Sequence, residues 1–282
     1  MKFTNSNADI YVPDGIDVEK ALERTSHLAI GAHQDDLEIL AYHGIAECFG
    51  RKDRWFTGVV LTNGAGSPRT GIYGAYSDDD MQEVRRREQR KAAALGEYAC
   101  QIQLMYTSSA VKTAGNKDAV KDLQAILEIA RPEVLYLHNP ADKHDTHVAT
   151  LLRSLEAARA IPEGMRPQKA FGVEVWRDLD WLVDEDKQVL PVDKYPNLAA
   201  ALLGIFDSQI SGGKRYDLAT AGRRMANATY YATHETDVCT AMTYALDLTP
   251  LIQNENLAVK DYVLEKIERF QAEVRSRLER LG

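Results

Sequence analysis

Four times in its first 160 residues the chain alternates a short apolar run with a stretch of helical periodicity. The runs are residues 27–32, 55–61, 102–106 and 134–137. Each is too short for a stable helix and is bounded by turn residues. The stretches between them place apolar side chains at helical spacing. Leu37, Leu40, Ala41, Ile45 and Phe49 precede Gly50, and Val120, Leu123, Ile126, Leu127 and Ile129 precede Pro132. A further helix spans 80–96, with Asp78, Asp79 and Asp80 at its start to suit the helix dipole. Another carries Leu151, Leu152 and Leu155. Repeated strand–helix alternation predicts a Rossmann-like, doubly wound and mostly parallel α/β sheet with right-handed crossovers and helices on both faces.

Beyond residue 165 the pattern weakens. Residues 170–176 and 189–192 read as strands, and 198–206, 218–231 and 259–281 as helices. No repeat, low-complexity tract or linker interrupts the chain. The expectation is one domain over 1–282, with a core at about 24–160 and a C-terminal α/β elaboration at about 161–282. Residues 1–18 read as a leader segment with a turn at Pro13-Asp14-Gly15.

In sheets of this kind ligands bind where strands end at their carboxyl side. Two strand ends carry unusual side chains. After the first run comes Ala32-His33-Gln34-Asp35-Asp36-Leu37-Glu38. After the fourth comes His138-Asn139-Pro140-Ala141-Asp142-Lys143-His144-Asp145-Thr146-His147, which holds three of the seven histidines. Histidines and adjacent carboxylates packed together are costly unless they hold a cation. His33, Asp36 and His147 would give two nitrogens and a carboxylate, a common catalytic zinc set with a position open for water. Zinc is the default, and the same donors also suit iron, manganese or cobalt. Asp35 is placed to take a proton from water, and His144 to face a developing oxyanion. Asp142 and Asp145 are the sequence neighbours that can orient a histidine proton, and Glu38 reads as a supporting acid. His138 reads as a strand-closing residue that bonds backbone. The plain alternative for the first cluster is a strand-end turn capping the next helix. The second cluster weighs against it.

These motifs resemble the Ala-His-Pro-Asp-Asp-x-Glu and His-Pro-Asp-His signatures of the PIG-L/LmbE deacetylases. Leu61-Thr62-Asn63-Gly64-Ala65-Gly66 is similar to that family's loop after the second strand. Arg85-x-x-Glu88 with Ala92 and Leu95-Gly96 is similar to its following helix, and Asp207-Ser208-Gln209 to a later His-x-Ser-Gln segment. Gln34 stands where the family has proline, and Asp145-Thr146 where it has proline and aspartate.

The resemblance implies a metal-dependent N-deacetylase, a hydrolase that commonly uses zinc on N-acetylglucosaminyl compounds. It makes His33, Asp36 and His147 ligands, Asp35 the base and His144 the oxyanion-facing histidine. It also implies substrate contact by Arg85. Asn63 and Tyr73 of the long loop after the second strand are further substrate-contact candidates, the tyrosine because sugars stack on aromatic faces. The open alternatives are a metallohydrolase on another N-acyl or phosphoester substrate, and a non-catalytic carbohydrate- or nucleotide-binding module. No Gly-x-Gly-x-x-Gly follows the first strand, against dinucleotide binding.

The net charge of −8 argues against a broad nucleic-acid footprint. No apolar run approaches the ~20 residues that span a bilayer. Three scattered cysteines and no secretory leader fit a cytoplasmic protein. The partner expected is a small N-acetylated amino sugar, with a homo-oligomer left open.

Overall fold

The computed structural model describes every residue from Met1 to Gly282. Eight strands form one sheet: β1 (Asp9–Tyr11), β2 (His27–Gly31), β3 (Phe56–Thr62), β4 (Cys100–Tyr106), β5 (Val134–His138), β6 (Lys169–Val173), β7 (Lys187–Pro191) and β8 (Met242–Asp247). Across the sheet the order is β1-β4-β3-β2-β5-β6-β8-β7. Strands β4, β3, β2, β5 and β6 run parallel. The flanking strands β1, β8 and β7 run antiparallel to their neighbours.

The expected doubly wound α/β sheet is therefore present. The central strands are buried on both faces, which is why their sequences are continuous apolar runs. In β2, Leu28 and Ile30 join one core cluster with Leu123, Leu127, Leu151 and Leu155. Ala29, between them, joins the other with Leu37, Ile45, Phe56 and Tyr136. The period-two alternation of a strand thus divides the molecule into two apolar layers.

Strand order reverses between β2 and β5. The chain winds outward from β2 through β3 and β4, then returns to place β5 on the other side of β2. A crevice opens at such a switch point, beyond the strands' carboxyl ends. The segments after β2 and β5 are those carrying the His and Asp residues.

Several elements differ from expectation. The first segment contributes an edge strand, β1. The helix expected over 36–49 is two, Asp36–Leu40 and Tyr42–Cys48, broken at Ala41. Ser77 caps the helix Asp78–Leu95, and Asp80 closes a capping box with it. β8 was not anticipated at all. It sits between β6 and β7, so that residues 169–247 continue the same sheet.

Buried polar ties hold the later part of the chain to the early helices. The Ser208 backbone N–H and hydroxyl donate to the two Glu88 carboxylate oxygens at 2.8 and 2.6 Å. The Tyr73 hydroxyl donates to Asp207 at 2.7 Å. Hydrogen bonds to buried charged groups stabilise by about 1.5–3 kcal/mol each. No helix is long and apolar enough to cross a membrane.

Candidate metal centre

The tight turn after β2 sets the first half of the site. Asp36 is the first residue of a helix, and its Oδ2 accepts the His33 backbone N–H at 2.7 Å. That bond folds the turn back so that the His33 ring and the Asp36 carboxylate converge. Asp35, between them, has φ of 95°, in the left-handed region that non-glycine residues avoid. Its N–H donates to Gln89 at 3.3 Å. Arg85 holds the same turn, donating to the Gln34 carbonyl, with a guanidinium nitrogen 3.5 Å from Asp35 Oδ1. Gly64 is required beside it: with φ of 74°, a Cβ there would lie 2.7 Å from Gln34 Oε1 and 3.0 Å from Arg85 Cγ.

The segment after β5 supplies the second half. His147, in the first turn of the helix Asp145–Ala160, projects its Nε2 to 3.3 Å from His33 Nδ1 and 3.4 Å from Asp36 Oδ1. His33 Nδ1 lies 3.3 Å from Asp36 Oδ2. The two ring nitrogens thus lie 3.3 Å apart, and each meets a different oxygen of the one Asp36 carboxylate at 3.3–3.4 Å. Tetrahedral bonds of ~2.0–2.1 Å put neighbouring ligand atoms ~3.3–3.4 Å apart. Two imidazoles and a carboxylate suit a divalent metal in chemistry, and the 3.3 Å between the two nitrogens is the spacing of neighbouring tetrahedral ligands.

Behind His147, Asp142 Oδ2 lies 3.5 Å from Nδ1. Asp142 is itself fixed by the backbone N–H groups of His144, at 2.9 Å, and Trp176, at 3.1 Å. A carboxylate behind a ligating imidazole holds its proton on the far nitrogen and leaves the near one free. Sequence proximity had paired Asp142 with His144. In the fold its carboxylate faces the His147 ring and touches His144 only through the backbone. Asp145 is exposed and makes no hydrogen bond to His144.

Electrostatics agree with this arrangement. Burial pushes Asp36 up, but the facing imidazoles, His147 foremost, outweigh it and hold the carboxyl well below the usual range. Burial pushes His147 down, but Asp36 and Asp142 on either side raise it above its ordinary value. Two carboxylates thus create a place for positive charge, which a metal ion takes by displacing the proton. Burial raises Asp35 to about 8, against the pull of Arg85.

His138 contacts the site differently. Its Nε2 accepts the Ala32 N–H at 3.0 Å, so that nitrogen carries no proton and its 3.4 Å approach to Asp36 is not an ion pair. The ring stacks on His147 at 4.0 Å between centroids and buttresses it. A second possible cluster joins His138, Asp142 and His147; the backbone bond occupies His138 Nε2 and leaves its buried Nδ1 without a partner. Glu38 lies under the turn, fully buried, and accepts from Gln89 at 2.9 Å and Tyr98 at 2.8 Å.

The His33–Asp36–His147 group opens on a cavity of ≈ 730 Å³ lined by His33, Asp35, Asp36, Arg85 and His144. Of the residues expected to touch substrate, only Arg85 reaches it. Asn63 Oδ1 instead accepts the Ala65 N–H and shapes its own turn. Tyr73 is turned away to Asp207. The cavity's far wall comes from residues the sequence did not single out. Trp176 lies 6.1 Å from the His144 ring, carries Lys214 over its face at 4.5 Å, and meets Tyr216 edge-on at 6.0 Å. Lys112, Arg215 and Arg223 also line the cavity. Five cationic side chains face two carboxylates, in a chain of net charge −8.

The site is thus a His–Asp–His group, able in principle to hold a metal, at the switch point of a Rossmann-like sheet. Residues 28–158, just under half of the chain, match the family model PIG-L, described as GlcNAc-PI de-N-acetylase. Comparison with curated proteins found no match. Among solved structures, the chain is similar to the N,N'-diacetylchitobiose deacetylase of Pyrococcus horikoshii, with 14% identity, TM-score 0.61, and 82% of this chain and 86% of that one covered. It is similar to the A40926 pseudoaglycone deacetylase Dbv21, with 18% identity, TM-score 0.56, and 79% and 97% covered. It is also similar to the 4-carboxy-2-hydroxymuconate hydratase GalB of Pseudomonas putida, with 16% identity, TM-score 0.62, and 83% and 100% covered. At such identities the likeness is one of fold.

Proposed function

We propose that the protein is a metal-dependent N-deacetylase acting on an N-acetylglucosamine-type conjugate. The observation that carries this reading is the convergence of His33 Nδ1 and His147 Nε2, 3.3 Å apart, on the Asp36 carboxylate, with each nitrogen 3.3–3.4 Å from one of its oxygens, beside a cavity. These three residues would hold the ion, with zinc the first choice from the donor set. When bound, the ion supplies Lewis acidity toward water and the amide oxygen.

The chain's own residues do the rest. Asp35, in its strained turn at the cavity edge, takes a proton from the attacking water and returns it to the departing amine nitrogen. Arg85 and Gln89 hold that turn in place. His144 lines the cavity with no hydrogen-bond partner at Nδ1, and offers a ring N–H to the carbonyl oxygen as it gains charge. Trp176 gives the sugar a flat apolar wall. The products are acetate and a free amine.

The cationic lining favours a conjugate that carries an acidic group away from the acetamide. It also supports a second reading, hydration or hydrolysis of a different acidic substrate, since the same fold serves a hydratase. The deciding experiment loads the protein with zinc and follows acetate release from N-acetylglucosaminides. Asp35→Ala is expected to retain the metal and lose turnover by ~10²–10⁴-fold. Turnover unchanged in that variant refutes the assignment. A wild type that releases no acetate yet hydrates an unsaturated acid establishes the second reading.

A further inference from the structure

The C-terminal helix, Val259–Leu281, is 23 residues long, yet only Tyr262 and Val263 within it are buried. From residue 267 nearly every side chain lies in solvent, including Ile267, Phe270, Val274, Leu278 and Leu281. The helix is anchored at its start only. The Tyr262 hydroxyl donates to the Asp247 carbonyl at 2.6 Å, and Lys266 and Arg269 pair with Asp186. Isolated helices shorter than ~12–15 residues are marginal in water, so a projecting segment of this length needs a covering partner.

Its sequence names the partner. Leu264, Ile267, Gln271, Val274, Leu278 and Leu281 follow the alternating three- and four-residue spacing of a coiled-coil seam. Of the residues that bind Asp186, Arg269 stands opposite the seam and Lys266 on its flank, and buried Tyr262 also lies on the far side, so the seam is turned from the body. Beside the seam, at the two e positions, stand Glu268 and Arg275. In an antiparallel pair e positions face each other, which sets Glu268 of one chain against Arg275 of the other, twice. The same alignment brings Phe270 and Arg277, at g, together for a cation–π contact. A parallel pair would set Phe270 against Arg275 and leave Glu268 facing Val263, so it makes no ion pair. Antiparallel packing also leaves the two bodies at opposite ends of the paired helices, a seam of roughly 26 Å at 1.5 Å per residue.

A membrane surface fits less well. Over residues 259–281 six cations alternate with five anions, whereas helices that lie on membranes present a Lys/Arg-rich polar face. We infer that the C-terminal helix pairs antiparallel with the same helix of a second copy of this chain.

The test is sedimentation equilibrium on the full chain, with and without vesicles of phosphatidylcholine and phosphatidylglycerol. The expected result is a species of twice the 31.5 kDa chain mass. Val274→Glu with Leu278→Glu, both at exposed positions, is expected to yield monomer with unchanged near-ultraviolet circular dichroism of the body. Glu268→Arg and Arg275→Glu are each expected to weaken the dimer at least tenfold, and the double reversal to restore it. A wild-type monomer at all concentrations overturns the proposal. So does a dimer that survives the seam variant, or association with vesicles alone.

Discussion

Replacing Asp142 with alanine isolates what the carboxylate behind His147 contributes. Asp142 Oδ2 stands 3.5 Å from His147 Nδ1, and its oxygens also accept the N–H groups of His144 and Trp176. Without it, nothing holds the His147 proton on Nδ1, and the tautomer with the proton on Nε2, which cannot ligate, becomes accessible. Loss of such a supporting carboxylate costs ~10–100-fold in metal affinity, equivalent to about 1.4–2.7 kcal/mol. Two backbone donors also lose their acceptor, at about 1–3 kcal/mol each in fold stability. Asp142→Asn should be milder, since its amide oxygen can still face His147 and Trp176 while one N–H loses its partner. The assay is zinc competition against a chromophoric chelator, below the unfolding temperature of each variant. The expected order of affinity is wild type, then Asn, then Ala. Wild-type zinc affinity in a folded Asp142→Ala would refute the reasoning. It would return Asp142 to the role of a backbone anchor for the loop at His144.

Two further perturbations follow from the structure. Lys214→Glu and Arg223→Glu, on the cavity's far wall, should raise KM roughly tenfold to a hundredfold for a carboxyethyl or phosphoethyl N-acetylglucosaminide, each charged contact being worth about 1.5–3 kcal/mol. KM for the neutral ethyl glycoside should hardly move; equal effects on all three would show that the cations do not select substrate. His27, remote from the site, is buried and its folded pKa is lowered to about 4 by burial, with nearby Arg54 adding to the effect. The unfolded chain protonates this residue from about 6.5 downward, so its contribution is intact above that pH and lost as pH falls toward 4. From pH 7 to pH 5 the loss is about 2 kcal/mol, readable as a lower urea midpoint. His27→Gln should flatten that part of the profile, and an unaltered slope would show that His27 does not control it.

The alternation of apolar runs and helical periodicity was legible in residues 27–160 because it records burial. A strand enclosed on both faces must be apolar throughout, and a helix on a sheet must be apolar on one side. The two His/Asp segments were legible for a related reason: charged groups at the end of a buried strand have few explanations other than a cation. What stayed hidden was whatever depends on partners distant in sequence. β1 and β8 are strands because β4, β6 and β7 offer edges to pair with, and nothing in their own short sequences says so. Asp142 stands two residues from His144, yet its carboxylate meets the His147 ring, because the first turn of the helix carries that ring back over the loop. No motif or spacing in the sequence marks Lys112, Lys214 or Arg223. Only the fold gathers them around one cavity, since charge, unlike periodicity, carries no local record of which neighbours it will meet.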